Sequence, residues 1–304
     1  MASMTRKILV VSLLLLAVVV SIMAQGSQQA KLLRKAYRTH STKILYDFFD
    51  NWSEAVQSNE KEATNPYVAE AHKVFAACYQ PLKIDSIFYP EDRLYCYRDK
   101  PYFIVQGSLR TVEVAECIPY KPEEIDSFIE ARIRQMYEDD STRNREIEKN
   151  RTHRNIPSYY KYYIPSYAIV PSTIVDSAVS FRPPVHFDGK KVVYLTDGYE
   201  KLLNSFLGNC YVELGKRNIM QAAFSKGTSR LKQKFFSKAA LIFYGHWGGY
   251  WEYVTFPETT SVIFNPEMTR AVVKYSLAYE GGEMILEKRD GKWEIVSVRF
   301  CWII

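Results

Sequence analysis

The strongest constraint on the fold lies at the C-terminal end, where strand patterns follow one another with short turns between them. Polar and apolar residues alternate along TRAVVKYSLAYE, which places Ala271, Val273 and Tyr275 on one face of a strand. Gly281-Gly282 predicts a turn after this run, and Asp290-Gly291 is a strong two-residue hairpin signal before KWEIVSVRFCWII. The pattern predicts an antiparallel meander that curves over the helices preceding it.

Helical patterns dominate other parts of the chain. Apolar residues at helical spacing between Leu32 and Trp52 predict one long helix. Asn65 suits an N-cap and Pro66 the first helical position, so a second helix is expected there. A third is expected from Pro122.

Two more helices are expected nearer the meander. Asp197, with Glu200 three residues later, predicts an N-cap and capping box for one of them. The other is expected from about Ser229 to Ala240. Its predicted buried residues are Leu231, Phe235, Phe236 and Ala239.

The pattern also places strands in the first half. The segments YFIVQ and LRTVEVAE flank Gly107-Ser108, which predicts a tight hairpin. Together the elements predict an α+β fold, with an N-terminal helix-plus-antiparallel-sheet domain at 25–120. A helix and a Tyr/Pro-rich connection follow at 121–191, and residues 192–304 form a C-terminal domain of helices packed on a curved antiparallel sheet.

The first 24 residues have the pattern of a cleavable signal peptide. Arg6 and Lys7 precede an apolar run from Ile8 to Val20, and the small residue Ala24 stands at the expected cut. The alternative is an uncleaved anchor, which needs roughly 20 apolar residues to span a bilayer. The pattern therefore predicts export to the periplasm or the extracellular space, with no transmembrane segment after cleavage.

Composition narrows the function classes. A net charge of +6 is compatible with solubility and does not indicate a nucleic-acid partner. The five cysteines include no CxxC pair, so we expect no metal site, although export permits disulfides. The chain contains no HExxH, GxSxG, phosphate-binding glycine loop or dinucleotide fingerprint. We therefore expect no cofactor and assign no catalytic residue.

Aromatic and polar residues concentrate between positions 246 and 252. The stretch combines a histidine, a carboxylate and several rings around Gly248-Gly249, which suits a carbohydrate or a planar ligand. A bulge or turn whose aromatics fill the core is the structural alternative. The predicted ligand-binding residues are His246, Trp247, Tyr250, Trp251 and Glu252.

A basic stripe precedes this stretch. No acidic residue occurs from Leu214 to Trp251, and Arg230, Lys234 and Lys238 recur every four residues along a predicted helix. The stripe is interpreted either as a patch for an anionic partner, such as a glycan, a lipid headgroup or an acidic protein, or as a solvated helix face.

The segment from Thr196 to Ile304 resembles the NTF2-like group of cone-shaped α+β domains. The phrase EKRDGKWEIV is typical of the last hairpin of that group. HWGGYWEYVTFP and YEGGEMILEK are also similar to a set of uncharacterised exported bacterial proteins. The resemblance implies a fold with a pocket. Some members of the group are isomerases or dehydratases with Asp and His inside the cone, and many others only bind small molecules or partners.

These observations favour an exported, non-enzymatic protein that binds a small ligand, a glycan or a protein partner. One alternative is an NTF2-like isomerase, dehydratase or hydrolase, in which His246, Asp197 or Glu252 would line a cavity. The other is a surface-interaction protein without a pocket, marked by the Tyr-rich segment at 159–167.

Overall fold

The helices lie between residues 26 and 236 in this computed structural model, which describes residues 26–84, 97–119, 121–153, 170–208, 227–244, 251–278 and 280–303. The first helix, α1, covers residues 26–38. The others are α2 (Thr42–Ala55), α3 (Pro66–Cys78), α4 (Pro122–Met136), α5 (Asp140–His153), α6 (Asp197–Leu207) and α7 (Gly227–Phe236). Short 3-10 turns occupy Glu60–Glu62 and Pro81–Lys83.

The strands fall into three sheets in the described part of the chain. They are β1 (Tyr102–Gln106), β2 (Ser108–Val114), β3 (Thr173–Ser180), β4 (Lys191–Leu195), β5 (Phe243–Tyr244), β6 (Trp251–Glu252), β7 (Glu258–Phe264), β8 (Arg270–Leu277), β9 (Glu280–Arg289) and β10 (Lys292–Ile303). The main sheet has the order β10-β9-β8-β7-β2-β3, whereas β1 pairs with β4 and β5 with β6. The predicted α+β class is confirmed, with a curved sheet.

The described chain divides into two compact units. Unit 1 comprises residues 1–56, 100–102 and 195–253, of which the described residues are considered below, and unit 2 comprises residues 57–99, 103–194 and 254–304. Both units therefore draw on segments that are distant in the sequence. The main sheet belongs to unit 2 and takes strands from both sides of residue 192.

Aromatic packing forms the core of unit 1. Trp52 of α2 stacks on Tyr199 of α6 with ring centroids 4.3 Å apart. Phe49 packs against Tyr102 at 4.6 Å and against Phe236 of α7 at 5.1 Å. Burial of large rings is a major source of stability, and these contacts tie α2 to α6 and α7.

The predicted single helix between Leu32 and Trp52 is wrong. His40 adopts a φ of 51°, which ends α1. Ser41 then caps α2, because its Oγ accepts a hydrogen bond from the Ile44 N–H at 3.3 Å. The apolar stripe continues through the break and conceals it in the sequence.

The predicted start of α3 is confirmed. Asn65 Oδ1 accepts a hydrogen bond from the Tyr67 N–H at 2.9 Å, and Pro66 occupies the first turn. At α6 the prediction is one residue late, because Thr196 is the N-cap and Asp197 already lies in the helix.

The hairpin predicted at Gly107-Ser108 is wrong, because β1 and β2 belong to different sheets. β2 instead pairs antiparallel with β3 and parallel with β7, where Thr111 lies opposite Ser261. The parallel partner of a strand comes from a distant part of the chain. Local sequence patterns therefore do not predict this pairing.

The predicted meander is confirmed as β7 to β10, with antiparallel pairing throughout. Asp290 and Gly291 turn between β9 and β10 with φ values of 49° and 77°. The other predicted turn is wrong, because Gly281 and Gly282 lie within β9 and the chain turns earlier, at Ala278.

Helices cover the sheet of unit 2. α3 packs against β10. α4 and α5 contribute to a cluster of buried apolar side chains that includes a row of the sheet, Ile263, Val272 and Ile285. This row fixes which face of the sheet the two helices cover.

Candidate functional site

The ligand site predicted at 246–252 is described only in part. His246, Trp247 and Tyr250 lie outside the described residues. Trp251 and Glu252 form β6, and each is 1% exposed. Glu252 Oε1 accepts a hydrogen bond from the next backbone N–H at 2.8 Å. These two side chains are interior parts of unit 1, and a ligand site at this stretch stays a prediction.

The predicted basic stripe lies on the surface of unit 1. Arg230 and Lys234 are exposed on α7, and Lys238 is exposed two residues beyond its end. Phe235, Phe236 and Ala239 are buried as predicted. Leu231 was expected to be buried with them but is 61% exposed, because it projects from the same side of the helix as the bases.

Part of one face of the unit 2 sheet is polar. Cross-strand partners place their side chains on the same face, so the register Ser261–Lys274–Glu283–Arg299 forms one row across four strands. Ser276 lies two residues beyond Lys274 and therefore on the same face. We call Lys274, Ser276, Glu283 and Arg299 the polar end of the sheet.

The same face is apolar on the other side of this row. Val272 and Ile285 follow Lys274 and Glu283 at a spacing of two residues, and they pack beneath α4 and α5. The change from apolar to polar side chains is therefore abrupt within single strands. A wholly structural sheet face beneath helices is usually apolar, so the polar end needs a separate explanation.

An ion pair occupies the centre of the polar end. Arg299 Nη2 lies 2.7 Å from Glu283 Oε2, with the two side chains 17% and 5% exposed. Arg299 Nε donates to no acceptor in the part of the chain that the structure describes. The guanidinium is thus anchored through one nitrogen and retains hydrogen-bonding capacity at another.

Ser276 is the second group with unused capacity. Its residue is 2% exposed, and its Oγ has no hydrogen-bond partner among the described residues. A buried hydroxyl without a partner costs about 1–3 kcal/mol. Such groups are uncommon in folded proteins, and each calls for a physical reason.

Glycine at position 282 lets the backbone of β10 approach closely. The Tyr275 hydroxyl donates to the Arg299 carbonyl oxygen at 3.0 Å. A Cβ atom at residue 282 would overlap that carbonyl oxygen and would lie 2.6 Å from the Tyr275 hydroxyl. Gly282 therefore allows the tyrosine to cross the strand and fix the backbone that carries Arg299.

Glu280 stands at the start of β9, beside the polar end. Its Oε2 is buried and has no hydrogen-bond partner in the described ranges. Burial raises the pKa of this carboxyl to about 7. Register places it opposite Leu277, hence on the other face of the sheet from Ser276.

A second buried carboxylate, Glu70 of α3, has a full set of partners. Glu70 Oε1 accepts hydrogen bonds from Lys288 Nζ at 2.5 Å and from Trp293 Nε1 at 2.8 Å. Glu70 Oε2 accepts one from Lys73 Nζ at 2.9 Å. Burial would raise the pKa of Glu70, but these hydrogen bonds hold it below its ordinary value. The cluster fastens α3 to β9 and β10 and leaves this carboxylate little capacity for a ligand.

His72, also on α3, is buried without hydrogen bonds. Its ring stacks on Phe181 at 4.5 Å, and neither ring nitrogen has a partner among the described residues. Burial lowers the pKa of His72 to about 4, with a further contribution from the charge of Arg182. The imidazole is therefore neutral at physiological pH, and it packs as an aromatic ring.

The described residues contain no group of three or more His, Cys, Asp or Glu that could hold a metal ion. Cys78 and Cys301 are buried, and Cys117 is exposed. Burial raises the pKa of the Cys78 thiol to about 12, so this thiol is protonated and unreactive near neutral pH.

Two other sequence predictions fall outside the described residues. These are the signal peptide at 1–24 and the Tyr-rich segment at 159–167. Within the ranges that the structure covers, no helix combines the length and the apolar character needed to span a bilayer.

The polar end was not predicted from the sequence. A signal was present, because Lys274, Glu283 and Arg299 interrupt strands that are otherwise largely apolar. Only the register shows that these charges lie side by side. Comparisons of the chain with family models, with curated proteins and with solved structures find no match.

Proposed function

We propose that this chain is an exported protein that binds a small anionic ligand and catalyses no reaction. The observation that carries the proposal is the unused hydrogen-bonding capacity of Ser276 Oγ and Arg299 Nε, both within the polar end. A ligand that paired with both atoms would remove the cost of leaving them buried without partners. Binding would then stabilise the folded chain by linkage.

The chemistry of the polar end favours a carboxylate-bearing ligand. Arg299 offers a planar donor fork, the geometry that recognises carboxylates. Its pairing with Glu283 holds the guanidinium in place, and Lys274 adds a second positive charge in the same row. Ser276 can donate to an anionic oxygen or accept from a ligand hydroxyl.

The test is calorimetric titration of the chain with acetate, citrate and glucuronate. Ser276→Ala removes one hydroxyl, so we expect the dissociation constant of a bound acid to rise about fivefold. Ser177→Ala, an exposed serine on β3, is the matched control and should leave binding unchanged. Equal affinities in the wild type and in Ser276→Ala, or no binding of any of the three acids, contradict the proposal.

Glu280 supports a second candidate function, an isomerase or a dehydratase. A carboxyl group with a pKa of about 7 is suited to proton transfer near neutral pH. Because Glu280 and Ser276 lie on opposite faces of the sheet, the substrate of Glu280 would bind at a separate site. The test is solvent deuterium exchange into the carbon-bound hydrogens of citrate or glucuronate incubated with the chain, followed by NMR. Exchange that disappears in Glu280→Gln favours the enzyme, whereas a ligand that binds without exchange favours the non-enzymatic protein.

Export and an NTF2-like arrangement for residues 196–304 are parts of the same proposal. The curved sheet and the hairpin at Asp290-Gly291 support the second of these. Mass spectrometry of the exported protein should find an N-terminus at Gln25, and an experimental structure should show a cone open at one end. An N-terminus retained at Met1 contradicts cleavage after Ala24, and a cone filled with side chains contradicts the pocket.

A further inference from the structure

Two side chains with large apolar surfaces are exposed to solvent beside the basic residues of α7. Leu231 is 61% exposed and Tyr244 is 46% exposed. The Arg230 guanidinium lies 5.9 Å from the centre of the Tyr244 ring. Residues 230, 231 and 244 therefore form one continuous surface, which we call the α7 surface together with Lys234 and Lys238.

The α7 surface is held by a buried opposite side. Gln233 is 1% exposed and donates through Nε2 to the Leu207 carbonyl oxygen at 3.2 Å. Its Oε1 accepts a hydrogen bond from the Tyr244 hydroxyl at 3.3 Å. Phe235 and Phe236 of the same helix are also buried. The exposed leucine is thus presented by an anchored helix.

Positive charge surrounds these apolar groups. No acidic residue occurs in the sequence from 214 to 251. Within the described part of that stretch, Arg230, Lys234 and Lys238 are exposed, and Lys232 lies half-buried. Lys232 Nζ and Lys238 Nζ lie 5.2 Å and 5.4 Å from the ring centres of Phe206 and Phe235. The ammonium groups of these two lysines therefore lie over aromatic rings, in cation–π geometry.

We infer that the α7 surface binds an anionic lipid bilayer. Lysine and arginine side chains beside a membrane pair with anionic headgroups, tyrosine favours the headgroup level, and leucine enters the acyl boundary. A soluble anionic glycan would use the charges alone and would leave Leu231 in water. This role is independent of the acid-binding site proposed in unit 2.

The experiment measures partitioning of the full chain onto phosphatidylcholine vesicles with and without 30% phosphatidylglycerol (about one-third anionic lipid, as a probe of surface charge). The measured quantity is the ratio of the two partition coefficients. The N-terminal segment, with Arg6, Lys7 and the largely apolar residues 8–24, is the same in every variant, so its contribution cancels when the ratios of the variants are compared. The wild type should prefer the anionic vesicles, and the preference should fall as salt rises.

Arg230→Glu/Lys234→Glu should lower the ratio about 30-fold or more, since each basic residue near an anionic surface contributes roughly fivefold. The matched control is Lys61→Glu/Lys292→Glu, which makes the same charge change at exposed positions of unit 2 and should leave most of the preference in place. Equal ratios for the two double variants overturn the inference. Circular dichroism checks that both variants are folded.

Leu231→Ser separates a lipid bilayer from a soluble polyanion. Removing an apolar side chain that enters the acyl boundary should weaken binding to the anionic vesicles about tenfold. Binding of dextran sulfate, a soluble polyanion, should be unaffected by the same change. If Leu231→Ser binds the anionic vesicles as tightly as the wild type does, the α7 surface recognises charge alone and the inference is wrong.

Discussion

Two buried polar clusters contact the sheet of unit 2, and they differ in how completely their buried polar atoms are hydrogen-bonded. Around Glu70, each carboxylate oxygen accepts a hydrogen bond from at least one donor. At the polar end, Ser276 Oγ and Arg299 Nε have no partner in the ranges that the structure covers. Both clusters include side chains of β9 and β10, so the difference between them does not come from the fold class.

Because of this difference, we expect the Glu70 cluster to contribute to the stability of the fold and the polar end to contribute to ligand binding. A buried charge with complete hydrogen bonding holds elements together and is costly to break, whereas a buried group without a partner already costs the fold. The Glu70 cluster should therefore respond strongly to mutation. The polar end should respond weakly until a ligand is bound.

Glu70→Ala should give the largest loss of stability. It leaves Lys288 and Trp293 without their shared acceptor, and we expect the free energy of unfolding to fall by about 3 kcal/mol. Urea denaturation followed by tryptophan fluorescence measures this change. Lys73→Ala, which removes a partner with 55% exposure, should cost only about 0.5 kcal/mol. Similar losses for the two variants would mean that Glu70 is no more important than a surface pair.

Gly282→Ala should be nearly as harmful, and it acts beside the polar end. The new methyl group would overlap the Arg299 carbonyl oxygen, so we expect a loss of about 2–3 kcal/mol as the two strands move apart. Gly198→Ala is the control, because nothing lies within 4 Å of its added Cβ and alanine favours a helix. If Gly282→Ala unfolds at the wild-type urea concentration, the close approach of β9 and β10 is not required.

Glu280→Gln should stabilise the chain in a pH-dependent manner. Because the pKa is about 7 in the folded chain and about 4.5 ordinarily, the unfolded chain loses its proton first and wild-type stability falls as pH rises between these values. Glutamine carries no charge, so the variant should exceed the wild type by about 1–2 kcal/mol at pH 8, allowing for solvent screening, and match it at pH 4. The comparison requires urea denaturation at both pH values.

The exposed carboxylate Glu123 offers the control for that experiment. Glu123→Gln should have the same small effect at pH 4 and at pH 8. An advantage of Glu280→Gln that does not change between the two pH values would show that folding does not raise the pKa of Glu280.

Ser276→Ala should cause no loss of stability and should raise the free energy of unfolding by up to about 1 kcal/mol, because the removed hydroxyl is buried without a partner. Thr255→Val removes a buried hydroxyl that accepts a hydrogen bond from the Ile104 N–H at 3.1 Å, and it should cost about 1 kcal/mol. Thermal and urea denaturation of the pair compare an unsatisfied hydroxyl with a satisfied one. Equal losses for the two variants would mean that the Ser276 hydroxyl contributes as much to stability as a hydroxyl that has a hydrogen-bond partner.

Local signals in the sequence were sufficient for several elements. The Asn65 cap, the helix from Pro122 and the Asp290-Gly291 turn each depend on neighbouring residues, and each was predicted. The pairing of β2 with β7 was not predicted, because parallel pairing between distant segments has no local pattern. The predicted hairpin at Gly107-Ser108 failed for the same reason.

The candidate sites differ in the same way. The basic residues Arg230, Lys234 and Lys238 recur every four positions, so the sequence was sufficient to place them on one surface. The exposure of Leu231 could not, because helical periodicity leaves the edge of a buried face uncertain by one position. The polar end depends on the register of four strands, which sets Lys274, Glu283 and Arg299 in one row.

The parallel pairing of β2 with β7 also has a consequence for the order of folding. Gln106 exchanges two hydrogen bonds with Thr259 beside this pairing, across 153 positions of sequence. A ribosome that has released β2 must synthesise most of the remaining chain before β7 emerges. Contacts between such distant segments slow folding, because the intervening chain must first be brought to order. If the chain is exported as proposed, this delay keeps the polypeptide unfolded while it is translocated across the membrane. The pairing of β2 with β7 then forms after translocation.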